Sequence, residues 1–180
     1  MSYTAAIGTP RLAVISTYDA NHACIADGPA VYSAPTSGAW PTQYLALYVP
    51  MRIGSQRIVR KLGISNGATA SGNLDLGLYD AKGTLLVSTG STAQSGEAIE
   101  QIIDVTDTLI SPGIYYIAAA MDGTTGTFMR RSITAPYCLS IGVLTELLGS
   151  VTLPATATWT ANQTLALYPM LFMAFTTAVA

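Results

Sequence analysis

The stretch that most constrains the fold is G-N-L-D-L-G-L-Y-D-A-K-G-T-L-L-V-S-T-G, from Gly72 to Gly90. Leu74, Leu76 and Leu78 alternate with Asn73, Asp75, Gly77 and Tyr79, the period-2 pattern that puts the leucines on one face of an extended strand. Asp80-Ala81-Lys82-Gly83 supplies a turn, because the Asp side chain can bond the backbone that follows it and the Gly can take positive φ. Thr84 to Ser88 resumes the alternation with Leu85 and Val87, which completes a β-hairpin. The hairpin holds no nucleophile with a base, no metal cluster and no phosphate loop. It predicts a fold class and leaves the chemistry to the rest of the chain.

The remaining segments repeat the same kind of signal. Strands are predicted at Leu12 to Ser16, Tyr44 to Val49, Gln56 to Ile64 and Ala98 to Val105, the second closed by Pro50 and the third imperfectly alternating. Ile110-Ser111-Pro112-Gly113 is a turn that leads into Ile114 to Met121, whose continuous apolarity predicts a central strand covered on both faces. Asp122 to Gly126 is another turn, Thr127 to Ile133 a returning strand, and Leu165 to Phe175 a last strand broken or bulged at Pro169. Only Ile141 to Leu148 reads as helical, and Leu153 to Gln163 reads as loop or edge. Short strands between turn signals, with almost no helix, predict an all-β antiparallel β-sandwich of jelly-roll-like type. Met1 to Gln43 lacks periodicity and is punctuated by Gly28-Pro29, Ala34-Pro35 and Trp40-Pro41. It is expected to be an extended N-terminal arm or draped loop (1–43) preceding a single sandwich domain (44–180), with docking on a neighbour the preferred role.

Composition adds a constraint on the surface. Charged residues are 10% of the 180-residue chain, hydrophobic residues are 50% and mean hydropathy is +0.41. A monomer this poor in charge would expose large apolar patches, so burial in a membrane or in an assembly is expected. The longest apolar candidate, Leu165 to Ala180, contains Pro169, Thr176 and Thr177 and falls short of the roughly 18 residues of a membrane span. The first residues lack the basic start and apolar run of a secretory signal, so synthesis in a cytoplasm is expected. Net charge of −2 gives no long-range attraction for nucleic acid, although Arg52, Arg57, Arg60 and Lys61 cluster and Arg130 and Arg131 form a pair. Such side chains also mark strand edges, where they discourage edge-to-edge pairing. Cys24 and Cys138 follow no C-x-x-C pattern and are expected as reduced thiols.

Chemistry-bearing constellations are sparse. His22 is the only histidine, and Asp19-x-x-His22-x-Cys24 mixes hard and soft donors at spacings that match no zinc pattern. Asp75, Asp80, Asp104, Asp107 and Asp122 sit in or near turns, where they stabilise the turn or, as a lesser alternative, bind calcium. The expectation is a non-enzyme with no catalytic residues, no cofactor and no metal. Aromatic residues offer the remaining lead: Trp40 and Trp159 are candidate contacts to a sugar or a protein partner, with packing as the competing role. Leu171, Phe172 and Phe175 are candidates for an oligomer interface, since they are too apolar for a solvated edge beside Pro169; sandwich core is the alternative for each.

Trp40-Pro41-Thr42 through Leu45 to Pro50, then R-I-V-R-K-L-G-I-S-N-G, the hairpin with its S-T-A-Q-S-G continuation, and D-V-T-D-T-L-I-S-P-G-I-Y-Y-I-A-A-A together resemble a recurring type of small protein of tailed bacteriophages. The resemblance covers roughly Trp40 to Thr127 and the aromatic C-terminal strand, and no position in it is a catalytic motif. It implies a β-sandwich virion structural protein: a capsid decoration or cement protein, a head fibre, or a tail-associated subunit. It also implies residence in the virion, a homotrimer as the favoured oligomer, and the major capsid protein or other virion proteins as partners. The alternative function is a carbohydrate-binding host-recognition module whose partner is a cell-surface glycan.

Overall fold

The computed structural model describes residues 17–19, 22–24, 35–161 and 164–177, with the backbone alone at 17–19, 22–24, 168, 172 and 175–177. In chain order the elements are β1 (Thr17–Asp19), β2 (His22–Cys24), β3 (Thr36–Ala39), β4 (Leu45–Ile53), β5 (Arg57–Ser65), β6 (Asn73–Asp80), β7 (Leu85–Ser88) and β8 (Thr92–Ala93). They continue with β9 (Glu100–Ile110), β10 (Gly113–Met121), β11 (Thr127–Ser132), α1 (Ala135–Ser140), β12 (Leu144–Leu147), β13 (Thr160–Ala161), β14 (Leu167–Pro169) and β15 (Leu171–Thr177).

The strands pair antiparallel into three sheets: β1-β2-β15-β5-β9, then β13-β12-β4-β10-β6-β7 with β8 also on β6, and a small β14-β11-β3 sheet. The first two face each other across the main core, so the expected β-sandwich is the fold. The chain alternates between them. β4 lies in the larger sheet, β5 in the facing one, β6 returns, and β9 and β10 again fall on opposite sides of the turn at Ser111–Pro112.

The leucine face of β6 behaves as the alternation demands. Leu74, Leu76 and Leu78 are fully buried with Leu47, Val49, Met51, Ile117 and Ala119 of the same sheet, against Val59, Leu62, Ile64, Leu171 and Met173 of the opposite one. The hairpin turn closes as expected, with the Asp80 carboxylate accepting from the amides of Lys82 (2.8 Å) and Thr84 (2.9 Å) and Gly83 at φ 88°. β10 is central, paired with β4 on one side and β6 on the other, and Ala118, Ala119 and Ala120 are buried on both faces.

Several expectations are corrected. The segment from Ile141 to Leu148 is not helical: the short helix lies earlier, at Ala135–Ser140, and ends as Gly142 turns to φ 81°. Leu144–Leu147 is β12, paired with Leu45–Tyr48 of β4, because a short apolar run satisfies a two-residue period as readily as a helical one. β4 continues through Pro50 to Ile53; β12 covers β4 only as far as Tyr48, so a residue without an N–H is tolerated farther on. β9 runs five residues beyond Val105, to Ile110, through Thr106-Asp107-Thr108. The imperfect alternation of β5 is a register shift between Val59 and Lys61, which leaves Arg60 and Lys61 both exposed. The last predicted strand is two strands in different sheets, β14 on β11 and β15 on β5, separated at Met170.

Part of the expected arm belongs to the sandwich. Thr36–Ala39 pairs with Thr127–Arg130, and Trp40 is 1% exposed in the main core, its indole tilted on Phe128 at 4.7 Å and its Nε1–H donating to the Leu45 carbonyl at 2.8 Å. The strand expected at Leu12 to Ser16 lies outside the described residues.

Candidate functional site

The large sheet has a second buried face, and its chemistry differs from the first. Outward from β4, β6 and β10 project Ala46, Tyr48, Asp75, Tyr79, Ala118 and Ala120, all fully buried or nearly so. Sequence alternation places a polar set there; burial comes from residues 151–159, which cross this face as a strap. The strap is fixed at both margins. Leu85 N–H donates to Ala155 O (2.9 Å) and Ala157 N–H to Gly83 O (2.8 Å), so the strap occupies the edge of β7. Leu153 N–H donates to Asp75 Oδ2 (2.9 Å), and the Tyr79 hydroxyl donates to Pro154 O (2.7 Å).

Asp75 is a carboxylate without a cationic partner among these contacts. Burial pushes its carboxyl above the usual carboxylate range, and the Leu153 amide and the Thr89 hydroxyl, at 3.2 Å, oppose that shift. Glu146 of β12 is the second acid of this layer. It accepts from the Tyr48 hydroxyl at 2.8 Å, and from the Thr158 amide at 3.0 Å and hydroxyl at 2.5 Å. Burial raises both Tyr48 and Tyr79 far above the ordinary phenol range, so each stays a neutral hydrogen-bond donor.

Trp159 closes the layer. Its ring lies edge-on to Tyr48 (5.4 Å) and Tyr79 (6.4 Å) and tilted on Tyr116 (4.5 Å), and both Trp159 and Tyr116 are half-exposed. Trp159 therefore combines the packing and surface roles weighed for it, whereas Trp40 offers no face to a ligand. Leu171 is 1% exposed and packs inside the sandwich, which removes it from any free surface of the chain. Phe172 pairs in register with Gly63 and Phe175 with Val59; their side chains lie outside the description.

A second surface, invisible in the alternation, lies on β9. Among the described residues this strand ends its sheet and pairs only with β5, so one of its edges has no described strand partner. Leu109 (60%), Ile102 (48%) and the preceding Ile99 (54%) are strongly exposed. The acids of β9 turn toward β5, where Asp107 meets Arg60 at 3.1 Å and Asp104 meets Lys61 at 3.0 Å. Arg60 and Lys61 of the basic cluster are thus neutralised within their own sheet, and the pairs, being half-exposed, add little stability.

Asn66 and Gln94 are buried polar groups of a structural kind. Asn66 Nδ2 donates to the carbonyls of Ser95 (2.7 Å) and Gly96 (3.0 Å), and Gln94 Nε2 to Asn66 Oδ1 (3.1 Å) and Thr127 O (2.7 Å), which ties the loop at Ser95 to β11. Cys138 is a free, buried thiol pushed up to about 12 by burial, hence unreactive. Among the described residues no group of three or more His, Cys, Asp or Glu side chains is placed to hold a metal ion, and no helix is long and apolar enough to cross a membrane. Comparison of the chain with protein-family models, with curated proteins and with solved structures gave no match.

Proposed function

We propose that this chain is a non-enzymatic structural subunit of a bacteriophage particle, of the capsid decoration, cement or head-fibre kind, assembled as a homotrimer and seated on the major capsid protein or another virion protein. The observation that carries the reading is the outer strand of the five-stranded sheet, where Ile102 and Leu109, with Ile99 just before the strand, stand in solvent and one edge has no strand partner among the described residues. Natural sheets blunt such edges unless something pairs with or covers them, and a neighbouring subunit does both. The low charge of the chain and the resemblance described above support the same reading, and closed symmetry is expected of such contacts.

Mass spectrometry and electron microscopy of purified particles test it; a chain absent from particles ends the proposal. Ile102→Lys and Leu109→Lys should give folded but smaller species by light scattering, because both side chains are already exposed. A monomer for the unmodified chain at micromolar concentration would refute the oligomer.

A second reading, a carbohydrate-binding host-recognition module, is favoured by the half-exposed Trp159 packed at a tilt against Tyr116. A glycan array separates the two readings, since the second alone requires saturable sugar binding.

A further inference from the structure

We propose that the outer face of β4 and β10, continuing from the tilted Trp159–Tyr116 pair, binds a saccharide bearing a carboxylate, with Arg52 as the anion contact. The inference rests on the carbohydrate reading and names its ligand class. Arg52 is exposed, and among the described residues it has neither an ion pair nor a hydrogen bond, in contrast to Arg60 and Lys61. Its cross-strand partner is Ile114, itself 43% exposed. Together with Ile53, Gly54, Pro112 and Gly113 they line an open cavity of about 460 Å³, within the size range of small-ligand sites.

The aromatic platform lies farther along the same face of β10. Tyr116 follows Ile114 by two positions on the same strand, so it occupies the same face ~7 Å away, and Trp159 lies 4.5 Å from Tyr116. Among the described residues no acid pairs with Arg52, and Asp80, in register with Tyr115 on the far side of β10, is engaged with the amides of its own turn. What remains is an apolar ring surface, an exposed isoleucine and a planar cation in one line. A pyranose presents an apolar C–H face to aromatic rings, and a carboxylate on it matches the two-donor fork of a guanidinium. A neutral sugar would leave that cation idle, and a simple anion would leave the rings idle.

The test is an array carrying uronates, sialosides and neutral glycans, probed with the full chain, followed by titration of the strongest acidic glycan against Arg52→Gln. Binding confined to carboxylated glycans is expected, weakened about tenfold or more by Arg52→Gln and progressively by salt. Arg52→Gln should leave the thermal midpoint unchanged, since the side chain is exposed. Tyr116→Ala, checked for folding by circular dichroism, should abolish binding to the same glycan. Selective binding of neutral glycans, or an acidic glycan whose affinity is indifferent to Arg52→Gln, overturns the anion assignment and leaves the carbohydrate reading standing. An array with no saturable signal removes that reading and this inference together.

Discussion

The two faces of the large sheet are both buried, yet they are held by different physics. The inner face is aliphatic and meets the opposing sheet through Leu47, Val49, Leu74, Leu76, Leu78 and Ile117, so its stability comes from apolar burial and shape. The outer face carries alanines, tyrosines and Asp75 and meets a strap through directed bonds to Leu153, Pro154 and Ala155. Removing volume should damage the first most. The second should respond to the loss of single polar atoms.

The largest effect is expected from Leu76→Ala, which leaves a cavity between the sheets at a fully buried site; about 2–5 kcal/mol of unfolding free energy should be lost, read from urea midpoints. Asp75→Ala should cost ~1–3 kcal/mol, because it strands the Leu153 amide without its acceptor. If Asp75→Ala is neutral, the outer layer is held by packing alone and the contrast between the faces fails.

Asp75→Asn sharpens the comparison through pH. The folded carboxyl lies above its ordinary value, so the folded chain binds that proton more tightly than the unfolded chain does. This contribution to stability is complete below the ordinary carboxylate range and is lost as pH rises through the folded value. Asp80, at the other end of the same strand, has the opposite sign. The Thr84 amide holds its carboxyl low against a lesser desolvation effect, with the Lys82 amide adding to it, so its contribution is present above the ordinary range and lost as pH falls. Urea midpoints between pH 3 and 7 should show that Asp75→Asn removes an acid-strengthening trend, whereas Asp80→Asn removes an acid-weakening one. Identical profiles for both variants would contradict the assignment.

The smallest effects are expected at the strap's margin. Tyr79→Phe removes the bond to Pro154 O at a cost of ~1 kcal/mol. Gly83→Ala should cost about as much, since φ is 88° there and a Cβ would approach Ala157 O to 3.2 Å. Both are read from thermal midpoints.

The same contrast explains what was legible in the sequence. The inner face was readable because Leu74, Leu76 and Leu78 announce burial by their own periodicity; the apolar run of Ile114 to Met121 announces cover on both sides, which holds from Ile117 onward but not at Ile114, 43% exposed. The outer face was not. Asp75 and Tyr79 look solvent-facing until the strap arrives from some eighty residues downstream, and nothing local to Val151–Ala157 signals where it will lie. Trp40 read as a surface residue because Pro41 and the aperiodic segment before it hide a strand whose partner, β11, is ninety residues away. The exposed ridge of β9 is hidden for a related reason: the strand legible in the sequence stops at Val105, with its end at Asp104 to Asp107, but Val59 and Arg57 of β5 hold Thr108 and Ile110 in the ladder. Arg52 reads as part of a basic cluster in the sequence, and only the fold separates it, on β4, from Arg60 and Lys61 of β5, which have acid partners.

The pairing of β15 with β5 has a consequence in time. β5 sits between β9 and β15, so during synthesis the middle strand of that sheet is made more than a hundred residues before one of its two flanking partners. Until residues 171–177 leave the ribosome, one edge of β5 has no native partner and the leucines of β6 lack the part of their cover that Leu171 and Met173 supply. Folding must therefore wait for that late strand and then complete in a concerted step, which makes nascent chains the stage most open to misassembly.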